Sequence, residues 1–257
     1  MTALLLLLAA LVSDSRLDGL QAAPVSWGDD CLSLRSAPAS LSRLEATRIG
    51  LYALSGNDGS SFEGAAGLTL GAVRLGIDCG SGSTGADTSF AAAGAAFVLT
   101  GDPRGFLEGF FGPSISIGGV LETSWTGNGE PTTGASASVQ FSVFPTFALG
   151  AALRDVCIEE ADGRELDMRG EYGATYIFNR DFRACMSYSE GRASVGCELA
   201  VSRPFAVRAG TDGEKWSAGT RVSWGDLTLD LAALFDDSTV SSSASILFDI
   251  GGESPWR

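Results

Sequence analysis

Alternation of apolar and polar residues runs along almost all of residues 45–250, and glycine-rich or acidic segments interrupt it at short intervals. In VQFSVFPTFALGAALRD, for example, Val139 and Phe141 alternate with Gln140 and Ser142, and the pattern resumes after the FPTF link. A period of two residues places successive side chains on opposite faces of a β-strand. Two such runs joined by so short a link predict a β-hairpin, and the chain as a whole is predicted to be all-β.

About fourteen alternating runs can be counted, an even number, if the alanine-rich residues 89–99 are taken as a strand. The links between the runs form two classes. One class is mostly short and flanked by aromatic residues or proline, as at 71–72, 144–147 and 224–227; the other is polar and mostly acidic, as in GNDGSSFE and CIEEADGRELD. Membrane barrels have short turns at one rim, longer polar loops at the other, and aromatic girdles between strand and interface. The pattern therefore predicts a closed antiparallel transmembrane β-barrel of about 14 strands.

The face opposite the apolar one carries glycine, serine, arginine and carboxylates, as a polar or water-filled lumen requires. Arginines on this face can either orient an anionic head group or pair with carboxylates of neighbouring strands. The candidate ligand-binding residues of the lumen are Arg74, Arg154, Arg169, Glu171, Arg183, Arg208 and Arg221. A polar face also suits the outer surface of a secreted β-sandwich, which is the alternative architecture.

Composition excludes several classes of function. The chain has no histidine, and Lys215 is its only lysine, so triads and metal sites that need histidine are excluded. We expect no enzyme, no catalytic residues, no cofactor and no metal site. A net charge of −14 disfavours nucleic acid as a partner. The five cysteines lack metal spacing, and Cys185 and Cys197 fall on opposite strand faces, which disfavours a disulfide between them.

An apolar run near the amino terminus, residues 3–12, is too short to span a bilayer but has the length of a signal-peptide core. The sequence predicts a signal peptide over residues 1–23. A buried apolar amino-terminal segment is the alternative.

Residues 29–54, DDCLSLRSAPASLSRLEATRIGLYAL, resemble the amino-terminal segment of FadL-like outer-membrane barrels, especially the PorV/PorQ branch. In that branch an acidic pair precedes an Asn-Pro-Ala-Gly-Leu motif, and Pro38, Ala39 and Leu41 match the motif here. SVFPTFALGAALRDV is similar to the mid-barrel hairpin of the branch, and FAVRAGTDGEKWSAGTRVSWGDLTLDLAALFDD to its last strands before the closing one. Fourteen strands are also the number in the family.

This resemblance implies a periplasmic, plug-like segment at residues 24–44, a barrel at 45–250 and a carboxy-terminal tail at 251–257. It implies a bacterial outer-membrane protein, surrounded by outer-membrane lipid, that binds or passively transports small hydrophobic molecules. The alternative that it implies is a PorV-like docking or shuttle component of protein secretion, whose partners are secretion components.

Overall fold

A computed structural model describes residues 31–44, 46–56, 59–83, 87–103, 111–127, 129–159, 168–236 and 239–250. The predicted signal peptide and carboxy-terminal tail lie outside the described residues. Among the described residues, no helix is both long and apolar enough to cross a membrane.

Two short 3₁₀ helices precede fourteen strands in the described residues. The helices span Cys31–Leu34 and Pro38–Arg43. The strands are β1 (Thr47–Gly56), β2 (Gly59–Leu70), β3 (Val73–Ser83), β4 (Asp87–Gly101), β5 (Ser114–Thr126), β6 (Thr132–Phe144), β7 (Phe147–Glu159), β8 (Arg169–Ile177), β9 (Phe182–Ser189), β10 (Arg192–Ser202), β11 (Phe205–Thr211), β12 (Trp216–Trp224), β13 (Leu227–Asp236) and β14 (Thr239–Ile250).

Each strand pairs antiparallel with its neighbours in sequence, and β1 pairs with β14 to close the sheet. The closing register runs from Thr47 opposite Ile250 to Ser55 opposite Ser242. A closed sheet leaves no row of unpaired backbone groups. The predicted antiparallel barrel of about fourteen strands is confirmed, and the β-sandwich alternative is wrong because the first and last strands hydrogen-bond to each other.

The two faces of the strands differ sharply in exposure. In the β6–β7 hairpin Phe141 lies opposite Leu149, and both are about two-fifths exposed on the outer face. Gln140 and Ser142 point the other way and are only 3% exposed. Along the whole barrel, large apolar side chains are exposed outside, while serine, arginine and carboxylate side chains are buried inside.

The amino-terminal segment Cys31–Leu44, which we call the plug, lies inside the barrel. Its two 3₁₀ helices pack against β1–β6, and nearly all of its side chains are buried. Pro38 occupies the first turn of the second helix, where its fixed φ and missing N–H are tolerated. Barrel closure therefore encloses a piece of the same chain along one half of the wall.

Candidate functional site: the plug seat and the arginine ladder

Glycines on the inner face of the wall make room for the plug. A Cβ added at Gly76 would lie 2.9 Å from Leu41 Cδ1, and one at Gly67 would lie 2.5 Å from Leu44 Cδ1. Both distances are below any ordinary carbon–carbon contact. The glycines whose added Cβ would meet the plug are Gly50, Gly67, Gly76, Gly94 and Gly118. We call these five residues the glycine bed.

Apolar burial holds the plug on this bed. Leu34, Leu41 and Leu44 are at most 1% exposed. They form one cluster with the wall residues Ala92, Ala96 and Val120. Full burial of a leucine side chain contributes roughly 1.5–3 kcal/mol, so these three side chains stabilise the seated plug.

The motif residues Pro38, Ala39 and Leu41 lie in the second helix of the plug. The backbone N–H of Ala39 donates a hydrogen bond to Ser138 Oγ on β6 at 2.8 Å. The three residues are thus buried between plug and wall, and their role as a family motif stays a prediction.

An arginine between the two helices pins the plug to the wall. Arg35 donates from Nε and Nη2 to the two carboxylate oxygens of Glu122 on β5, each at 2.6 Å. Its guanidinium carbon lies 3.7 Å from the centre of the Phe90 ring. A bidentate, charge-assisted pair with an aromatic face beside it fixes both position and orientation.

A continuous chain of ion pairs, which we call the arginine ladder, lines the inner face of β9–β13. Glu198 accepts hydrogen bonds from Arg183 Nε at 2.7 Å and from Arg208 Nε at 2.6 Å. Nη1 of Arg208 forms an ion pair with Asp230 Oδ1 at 2.6 Å. Asp230 also accepts from Nε and Nη2 of Arg221, at 3.1 and 3.0 Å.

Strand register explains how the ladder crosses β12. Arg208 on β11 lies opposite Gly219, which in turn lies opposite Ala232 on β13. Because Gly219 has no side chain, the guanidinium of Arg208 passes over β12 and reaches Asp230. The side chains of Arg208 and Asp230 are 0% exposed, so these charges compensate each other away from water.

The remaining predicted lumen residues do not join the ladder. Arg154 and Glu171 form a separate pair between β7 and β8. Arg74 donates to the backbone carbonyls of Leu44 and Gly71 and so ties down the end of the plug. Arg169 is half-exposed at a rim, where it pairs with acidic side chains. Of the seven predicted residues, the structure places Arg183, Arg208 and Arg221 in the ladder and pairs Arg154 with Glu171. A ligand-binding role for any of the seven stays a prediction.

Sequence reasoning missed Arg35 as a functional residue. The available signal was an arginine inside an apolar segment, CLSLRSAPASL, that is otherwise suited to burial. Such a charge needs a buried partner. Nothing in the sequence indicates that its partner is Glu122, 87 residues away.

Within the described ranges, no three or more cysteine, aspartate or glutamate side chains are placed so that they could hold a metal ion.

No protein-family model matches the sequence, and no curated protein is similar to it. Several solved structures match nearly the whole chain. A structure named as the CymD monoaromatic hydrocarbon channel has a TM-score of 0.68 at 11% identity, over 94% of this chain and 98% of that one. A Pseudomonas aeruginosa FadL homologue has a TM-score of 0.62 at 10% identity, over 94% and 99% of the two chains. The Ralstonia pickettii toluene transporter TbuX has a TM-score of 0.58 at 10% identity, over 93% and 97%. At these identities the likeness shows a shared FadL-like barrel fold.

Proposed function

We propose that this protein is a bacterial outer-membrane channel for the passive passage of small hydrophobic molecules. The observation that carries the proposal is a closed fourteen-strand barrel with an apolar outer face and an apolar plug inside it. Two barrels of the same fold are named as a monoaromatic hydrocarbon channel and a toluene transporter.

The outer face supports placement in a membrane. Trp216 and Trp224 stand at the two ends of β12 and are 66% and 85% exposed. At ~3.3 Å per residue the separation of these residues is ~26 Å along the strand, or ~20 Å along the axis of a barrel with ~40° tilt. This separation is close to the apolar band of roughly 25 Å seen in outer-membrane barrels. The short aromatic links would face the periplasm and the acidic loops the outside.

The arginine ladder favours an uncharged solute over an anionic one. The guanidinium groups of Arg183, Arg208 and Arg221 are already engaged by Glu198 and Asp230. An anionic head group would have to displace a buried carboxylate, which would leave that carboxylate without compensation. An uncharged hydrophobic molecule does not compete with these carboxylates and leaves the ladder intact.

A transport experiment tests the proposal. Cells of a Gram-negative host that lacks its own hydrocarbon channel would express the protein, and uptake of a labelled monoaromatic hydrocarbon would be measured beside uptake of a small sugar. We expect faster uptake of the hydrocarbon only. Fractionation and the heat-dependent gel shift of a folded barrel must first show assembly in the outer membrane. An assembled barrel with no effect on hydrocarbon uptake would contradict the proposal.

The PorV/PorQ branch and a docking role in protein secretion stay predictions, because none of the similar structures named above is a secretion component. A pull-down that recovers secretion components from cells with no hydrocarbon flux would favour that role.

Membrane placement leads to a prediction at Ala151, which lies opposite Val139 on the outer face of the β6–β7 hairpin. Ala151→Arg is expected to cost about 2–4 kcal/mol of folding free energy in lipid, as a cation does near the middle of a barrel's lipid face. The measurement is the fraction of heat-shifted, folded protein in the outer-membrane fraction. Ala151→Leu controls for side-chain size, and equal assembly of the two variants would contradict the membrane orientation.

A further inference from the structure

Three carboxyl groups surround the single guanidinium of Arg35. Glu122 holds it with both oxygens, and Glu63 Oε2 on β2 lies 4.0 Å from Nη1. The third group is Asp78 on β3. If all three carboxyl groups were ionised, this group of four side chains would carry a net charge of −2, because Arg35 supplies only one positive charge.

Asp78 is the group that this arrangement leaves uncompensated. It is 2% exposed, and neither of its carboxylate oxygens makes a hydrogen bond of good geometry. Its polar neighbours include the carboxyl of Glu63 and the backbone amide of Cys79. Asp78 lies opposite Ala65 and Glu63 opposite Gly80, so the two carboxyl groups are diagonal neighbours on the inner face.

An ionised carboxylate only accepts hydrogen bonds, whereas a protonated one also donates. Two adjacent buried carboxylates therefore become hydrogen-bond partners when one of them carries a proton.

We propose that Glu63 and Asp78 form a proton-binding site, in which one shared proton is held while the plug is seated. Seating of the plug and proton uptake by this pair are then linked.

The linkage has a definite sign. The first helix of the plug packs on β2 and β3 and leaves the Glu63 side chain only 12% exposed, so seating removes water from the pair and favours its neutral form. The repulsion among Glu63, Asp78 and Glu122 is present whether or not the plug is seated, because all three residues belong to the wall. Arg35 is the plug charge that seating brings to the pair, and both carboxylate oxygens of Glu122 already engage it. The loss of water therefore decides the sign of the linkage. The seated plug therefore binds the proton more tightly, and its stability is lost as the pH rises.

Cys31 offers a direct readout of seating. Its side chain is 0% exposed, and its Sγ lies 3.7 Å from the carbonyl oxygen of Ala65 on β2. With the other four cysteines replaced by serine, a membrane-impermeant maleimide would label this thiol only when the plug leaves its seat. The labelling rate would be measured from pH 6 to 10 in the reconstituted barrel, in variants with the native pair and with Glu63→Gln or Asp78→Asn.

In each amide variant the side-chain NH₂ replaces the shared proton at every pH. The reactivity of the Cys31 thiol rises with pH in every variant. The labelling rate of the native pair is therefore divided by that of the amide variant, which removes this common rise. We expect this ratio to stay near one at low pH and then to rise by up to about tenfold per pH unit as the proton leaves. A ratio that is flat across the range would overturn the proposal.

Infrared spectroscopy gives a second test that does not depend on labelling. At neutral pH the native barrel is expected to show the C=O stretch of one protonated carboxylic acid, and Glu63→Gln and Asp78→Asn should each remove it. A spectrum in which neither substitution removes such a band would also overturn the proposal. Both tests are independent of the transported molecule, because they read only the plug and its seat.

Discussion

Asp230→Ala is expected to destabilise the barrel by about 3–5 kcal/mol, the usual cost when one partner of a buried ion pair is removed. Asp230 is 0% exposed and is shared by Arg208 and Arg221 on two neighbouring strands. Its loss leaves the buried guanidinium of Arg208 with Glu198 as its remaining charged partner. The free energy of unfolding in lipid vesicles, from denaturant titration, is the measurement.

Glu214→Ala is the matched control for this prediction. Glu214 pairs with Arg192, but both side chains are about three-fifths exposed. Exposed ion pairs contribute about 0–1 kcal/mol, so this substitution should change the free energy of unfolding little. Similar losses for the two variants would show that the ladder is not a buried charge network.

Gly118→Val is expected to unseat the plug. A Cβ at Gly118 would lie 2.7 Å from the carbonyl oxygen of Pro38 and closer still to the Ala39 nitrogen. These are backbone atoms, which cannot turn aside as a flexible side chain can. Overpacking of this kind costs about 1–3 kcal/mol, which shifts the balance toward the unseated plug by about 5- to 150-fold. Conductance across planar bilayers and maleimide labelling of Cys31 should both rise.

Gly119→Val is the matched control, because it adds the same side chain one residue along β5 on the outer face. There an added Cβ would meet only the Ser136 carbonyl oxygen, at 3.8 Å. We expect neither conductance nor labelling of Cys31 to change. If the two variants behaved alike, the effect would come from the strand and not from the plug.

The prediction of the barrel from sequence succeeded because alternation is local. Side chains of a strand point to opposite faces with a period of two, so runs such as residues 139–143 define an apolar and a polar face without knowledge of their neighbours. The two classes of link then placed one set of turns at each rim. The even number of strands and the charged residues on the face opposite the apolar one favoured closure into a barrel.

Charge partners could not be predicted in the same way. Arg169 follows an acidic loop and Arg183 a short aromatic link, and both were assigned to the polar face, but Arg183 enters the ladder while Arg169 pairs at a rim. The carboxylate that each arginine meets depends on the register between neighbouring strands.

The sequence by itself determined the strands, the face of each side chain and the presence of a lumen with both charged and small residues, because these properties follow from the period of a single strand. Only the tertiary structure decided that Gly219 opens the path from Arg208 to Asp230 and that Arg35 meets Glu122. It also decided that Glu63 and Asp78 lie side by side beneath the plug. These contacts depend on register and closure, which bring together residues far apart in the chain and are encoded by no local pattern.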